Sequence, residues 1–113
     1  MRNSKAQSAA LPIRVPRKRL SEFCQRYQIR RLALFGSVLR SDFRADSDID
    51  ILVAFQPGAK ISFMTFGRMQ RELQKMFKRS VDLVPEDGLK PVIRADVLAS
   101  AQEVYEARDT LPA

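Results

Sequence analysis

Between Arg31 and Phe55 two short apolar runs, Leu32-Ala-Leu-Phe35 and Ile51-Leu-Val-Ala-Phe55, enclose a polar stretch that opens with Gly36-Ser37 and closes with Asp48-Ile-Asp50. Each run is too short for a buried helix and is bounded by turn residues, so the spacing predicts two neighbouring strands. Side chains alternate faces along a strand, so Asp48 and Asp50 point to one side while Ile49 and Ile51 point to the other. Two ionised carboxylates held this close repel, and a divalent cation relieves the repulsion. Oxygen ligation by one or two carboxylates, completed by substrate phosphates and water, is the usual way to hold Mg²⁺. Gly36 lets the backbone approach a ligand closely, and Ser37 can cap a following turn whose free N–H groups face an anion. Together these residues suit a metal–nucleotide complex.

Two plainer readings compete. Asp46, Asp48 and Asp50 also begin a D-x-D-x-D calcium loop, but Ile51 stands where that loop needs glycine and Pro57 where it needs glutamate. A solvated acidic turn is the other, and it leaves the fixed distance to Gly-Ser without a role.

Gly36-Ser37, ten residues, Asp48-x-Asp50 and a later Val81-Asp-Leu-Val84 resemble the minimal nucleotidyltransferase family of the polymerase-β superfamily, the MntA-like antitoxin partners of HEPN toxins. The resemblance spans about residues 20 to 107. It implies a palm-like fold in which Asp48 and Asp50 hold two Mg²⁺ ions, Asp82 completes the second metal site and helps accept a proton, and Gly36, Ser37 and Arg40 contact the phosphates of ATP. It further implies transfer of AMP to a tyrosine of a partner HEPN toxin, neutralising it within a hetero-oligomer. This chain departs from the family pattern at Val38, where arginine is common, and at Ser41, where glycine is common; Arg40 keeps the other usual arginine. Two other functions share the motif: an antitoxin that inhibits by binding alone, and a transferase acting on RNA or a small molecule.

Length allows one domain with a modest core, so an acceptor must bring its own docking surface. Without histidine, and with Cys24 as the single cysteine, zinc sites, imidazole acid–base chemistry and internal disulfides are excluded; Cys24 is expected in the core. No apolar run is long enough for a membrane span or a signal peptide, so a cytoplasmic protein is expected. The net charge of +7 is concentrated at the start: Arg2, Lys5, Arg14, Arg17, Lys18 and Arg19 all precede Glu22, the first acidic residue. Residues 1–15 are expected as a flexible basic tail, with nucleic-acid contact possible there but not favoured. Residues 16–107 are expected as the transferase domain and 108–113 as a second tail.

The remaining pattern predicts an α/β (α+β) domain, a small mixed sheet covered on one face by helices. Leu20, Phe23, Cys24 and Tyr27 predict a helix over 16–28. A strand is expected over 29–35, a helical turn over 37–42 and a second strand over 47–55. Ser62 is placed to cap a helix running to about residue 79, with Phe63, Phe66, Met69, Leu73, Met76 and Phe77 as its core stripe and Arg68, Arg71, Lys75 and Lys78 opposite. A third strand is expected over 80–84, a helix over 90–100, and residues 103–106 as a helical turn or an edge strand.

Overall fold

The computed structural model describes residues 13–39 and 47–107; the expected tails up to residue 12 and beyond 107, and the segment 40–46 with Arg40 and Ser41, lie outside the described residues. Its elements run α1 (Arg17–Arg26), β1 (Ile29–Phe35), a 3₁₀ turn (Gly36–Leu39), β2 (Ile49–Phe55), α2 (Phe63–Phe77), β3 (Val81–Pro85), a 3₁₀ turn (Glu86–Gly88), α3 (Pro91–Ser100) and β4 (Gln102–Glu106). The strand order is β3-β2-β1-β4. β1 is antiparallel to both β2 and β4, and β2 is parallel to β3, so the sheet is mixed as expected. Residues 103–106 thus form an edge strand. Among the described residues no helix is long and apolar enough to cross a membrane.

One sheet face carries the core. Leu32, Leu34, Ile49, Ile51, Val53, Val81, Leu83 and Val104 are buried there together with Leu20, Phe23 and Cys24 of α1 and Met69 and Leu73 of α2. Full burial of each aliphatic side chain contributes about 1.5–3 kcal/mol. Burial also pushes the Cys24 thiol up to about 12, so it stays protonated and inert. Ile13 and Val15, inside the segment expected as tail, pack against this core.

α2 is held at both ends and along one edge. Ser62 Oγ accepts from Thr65 N at 3.1 Å, the side-chain cap read from the sequence. The helix stops at Lys78, which is left-handed at φ 59° and donates its N–H to Gln74 O at 2.8 Å. Gln74 and Gln70 then accept from the Val81 and Leu83 amides at 3.2 and 3.0 Å. These glutamines satisfy outward N–H groups of the edge strand β3, which would otherwise invite pairing with another chain. Glu72 ties α2 to α1, accepting from Tyr27 Oη at 2.5 Å and from Arg26 Nη1 at 2.8 Å. Burial pushes the Glu72 carboxyl up, but these two hydrogen bonds and the arginine charge outweigh it and hold it below the usual carboxylate range.

The stripe on α2 is corrected at its first member. Phe63 is 92% exposed, as is most of Met64, whereas Met69 and Leu73 are fully buried. Phe63 is the first helical residue, and the sheet begins to cover the helix only from Phe66 onward. Accordingly, Leu73→Ala should cost about 2–5 kcal/mol of unfolding free energy, and Phe63→Ala should stay within about 0.5 kcal/mol of wild type. Urea unfolding of the two variants measures both.

Candidate active site

β2 fixes the site because its two faces are chemically opposite where the strand begins. Ile49, Ile51 and Val53 face the core, and Asp48 and Asp50 therefore face the side that α1 and α2 leave open. On one side β2 pairs with β1, setting Phe35 opposite Asp50. On the other it pairs with β3, setting Asp82 opposite Asp50. Paired residues of neighbouring strands lie about 4.8 Å apart on one face. Two carboxylates from separate strands are thereby side by side, and Asp48 stands exposed just before β2.

The turn after β1 closes over this pair. Gly36 has φ +76°, and a Cβ there would overlap Asp50 Oδ2, so only glycine brings the backbone this close to the carboxylate. Ser37 Oγ donates to the Asp48 carbonyl at 3.3 Å, which ties the Gly-Ser turn to the acidic segment. Val38 is buried in the core. Its side chain anchors the turn from beneath, and this position brings no cation to the site.

From the other side, the corner between α2 and β3 is fastened to the same segment. Ile49 N donates to Ser80 O at 2.9 Å, and Arg79 Nη1 donates to Ser47 O at 3.5 Å. Sequence reasoning did not single out Arg79; its one signal is its place three residues before Asp82. It positions the backbone that enters Asp48.

Farther along the open face a second polar group crosses the sheet. Arg31, opposite Ala54 of β2, reaches Glu86 Oε2 at 2.6 Å and Glu103 Oε2 at 3.7 Å. The Glu86 hydrogen bond outweighs desolvation and raises the Arg31 guanidinium further. Glu86 is the one buried charged residue among those described, and the small side chain of Ala54 leaves room for this pair. A cleft of about 380 Å³ lies at this end, lined by residues such as Phe55, Pro57 and Arg94. It includes none of Asp48, Asp50 and Asp82.

The donor set at the candidate site is oxygen only, which suits a hard cation and not zinc. Among the described residues no three His, Cys, Asp or Glu side chains form a group that could hold a metal ion by themselves. Mg²⁺ bound through one or two carboxylates and a substrate's phosphates does not need such a group. The paired Asp50 and Asp82, with Asp48 beside them, fit that mode.

A mixed sheet with a Gly-Ser turn over a D-x-D strand, and a third aspartate on the parallel neighbour, defines a palm-like nucleotidyltransferase. The family model of the nucleotidyltransferase domain matches residues 17–104. The protein adenylyltransferase MntA of Thermococcus cleftensis is 35% identical over 77 residues, covering 68% of this chain and 76% of that protein. A solved minimal nucleotidyltransferase has a TM-score of 0.64 and 33% identity, over 88% of this chain and 94% of that one. The MNT antitoxin in complex with a tri-AMPylated HEPN toxin of Shewanella oneidensis shares the fold, with a TM-score of 0.58 at 17% identity over 80% and 70% of the two chains. The chain belongs to the minimal, MntA-like nucleotidyltransferase family and is a nucleotidyltransferase.

The Gly36 contact gives a test of the site's construction. Gly36→Ala should destabilise the fold by about 1–3 kcal/mol through left-handed strain and the Asp50 overlap. In an Asp50→Ala background the same change should cost less, because the overlap is gone. A double-mutant cycle by urea unfolding measures the coupling; additive costs would mean the two residues do not touch.

Proposed function

We propose that this chain transfers AMP from ATP to a tyrosine of a HEPN-type partner protein and so silences it, as an antitoxin within a cytoplasmic hetero-oligomer. The observation that carries the reading is the opposition of Asp50 and Asp82 on β2 and β3, beneath the glycine turn that follows β1. The relatives support the acceptor class: one is a protein adenylyltransferase, and another is an antitoxin held against an AMPylated HEPN toxin.

On this reading Gly36 and Ser37, with Arg40, receive the β- and γ-phosphates. Asp48, Asp50 and Asp82 would hold Mg²⁺, which supplies neutralisation of charge on the entering and leaving oxygens. The tyrosine oxygen attacks the α-phosphorus in line. A new O–P bond forms as the bond to the β-phosphate bridging oxygen breaks, and pyrophosphate leaves with the electron pair. Asp82 stands at the exposed edge of the pair, where its carboxylate can accept the phenol proton as the oxygen attacks. With Val38 turned into the core, phosphate binding relies on the Gly-Ser backbone and on Arg40.

The test separates binding from chemistry. Asp48→Ala/Asp50→Ala should fold but lose affinity for Mg²⁺–ATP, measured by calorimetry. Asp82→Asn should retain most ATP affinity while single-turnover AMP transfer from labelled ATP to the purified partner falls by about 10² to 10⁴-fold. Wild-type transfer by Asp82→Asn would remove it from the catalytic set. A wild-type protein that inhibits its partner without any Mg²⁺-dependent mass gain on that partner would replace transfer with inhibition by docking.

A further inference from the structure

The outward side of α2 is chemically uniform in a way its packing does not require. At about 100° per residue, Met69 and Leu73 point into the core and Met64, Arg68, Arg71 and Lys75 fall on the opposite side, with the left-handed cap Lys78 directly after the last turn. All five are exposed. The side chains of Arg71, Lys75 and Lys78 make no hydrogen bond or ion pair with another described residue. The helix contains a single acid, Glu72, and Tyr27 and Arg26 turn it aside toward α1. A helix face that is merely solvated mixes signs at i+3 and i+4, because like charges at those spacings repel. Here Arg68–Arg71, Arg71–Lys75 and Lys75–Lys78 are three successive like-charged neighbours, and the one acid in their midst, Glu72, four residues from Arg68, is already engaged by Tyr27 and Arg26.

The ridge also has a direction. From Arg68 to Lys78 it runs about 15 Å along the helix, and it ends where α2 meets the carboxylate end of the sheet. The two residues after Lys78 make the Arg79–Ser47 and Ser80–Ile49 contacts described above, and Asp82 follows. An anionic chain lying along the ridge is therefore delivered to the reacting end of the molecule.

We propose that this ridge is the docking surface for an acidic segment of the protein acceptor, one that flanks the residue to be modified. The proposal rests on the function inferred above and adds how the acceptor is recognised: by a run of carboxylates matched to Arg68, Arg71, Lys75 and Lys78. Charge complementarity selects an anion, and the one strongly exposed aromatic ring of the helix, Phe63, stands at its first position, before Arg68, not between the cations, where a single-stranded nucleic acid would use stacking platforms. Long-range attraction of this kind acts on encounter and on the acceptor's apparent affinity more than on the chemical step.

The experiment uses the full chain and three fluorescent probes: a peptide with tyrosine between glutamate runs, its lysine counterpart, and a short uridine-rich RNA. Anisotropy should show the acidic peptide binding wild type, with affinity falling as salt is raised. Arg71→Glu/Lys75→Glu should weaken that binding by about tenfold or more, with thermal melting and Mg²⁺–ATP affinity unchanged. Asp48→Ala/Asp50→Ala should do the reverse, losing nucleotide and keeping the peptide. Equal peptide binding by wild type and Arg71→Glu/Lys75→Glu overturns the ridge, as does RNA binding more tightly than the acidic peptide and displacing it. A wild type that binds the peptide through these residues but does not bind Mg²⁺–ATP sustains the ridge and overturns the transferase reading instead.

Discussion

Everything at the candidate site depends on the register of β2, which is held from both sides. Ile49, Ile51 and Val53 have one place to go, the core shared by α1 and α2, and that commitment turns Asp48 and Asp50 outward. A slip of one residue would bury both carboxylates and expose three aliphatic side chains. Neither arrangement could compensate the other, because burying an unpaired charge and exposing apolar surface both cost free energy. The hydrophobic pattern of one strand thus sets the position of the acidic pair, and the antiparallel and parallel neighbours supply the remaining parts, Gly36 and Asp82.

How far the sequence reveals this depends on whether a residue's role is local. Alternation in Asp48-Ile-Asp-Ile51 is local, so β2 and the shared direction of its carboxylates could be read directly. The same holds for Ser62 as a cap and for β1, whose bounds coincide with expectation. The adjacency of Asp50 and Asp82 is not local: the resemblance suggested it, and the parallel pairing of β2 and β3 provides it. Phe63 was misplaced because helical periodicity gives a direction around the axis but not the point along it where the sheet starts. Residues 103–106 stayed ambiguous because a short segment with a buried valine between polar neighbours suits either a helical turn or an edge strand, and only the vacant side of β1 decides. Nothing in the spacing of Arg31, Glu86 and Glu103 announced that they would meet on the open face, since each comes from a different strand or turn.

The departure at Val38 and the uniform charge of α2 concern different parts of one task. Val38 contributes to the core, and on the proposed function phosphate contact falls to the Gly-Ser backbone and to Arg40, so the nucleotide end of the site would be built sparingly. On the proposed docking, the ridge from Arg68 to Lys78 places four exposed cations beside the acceptor's approach instead. On that reading acceptor selection falls to such an outer surface, there being no second domain among the described residues to form a walled cleft.

The strand order has a consequence for how the molecule is made. Gly36, Asp48, Asp50 and Asp82 all lie within the β1 to β3 portion, which is complete once Pro85 has left the ribosome, whereas β4 arrives about twenty residues later and pairs back to β1 across most of the chain. During synthesis the catalytic half can therefore assemble while the outer side of β1 still has unpaired N–H and C=O groups, a template for the wrong strand. Arg30 and Arg31 on that strand keep the nascent edge charged until Glu103 and Glu106 of β4 arrive with the opposite sign. The last strand among the described residues is thus also the one that covers this side of β1.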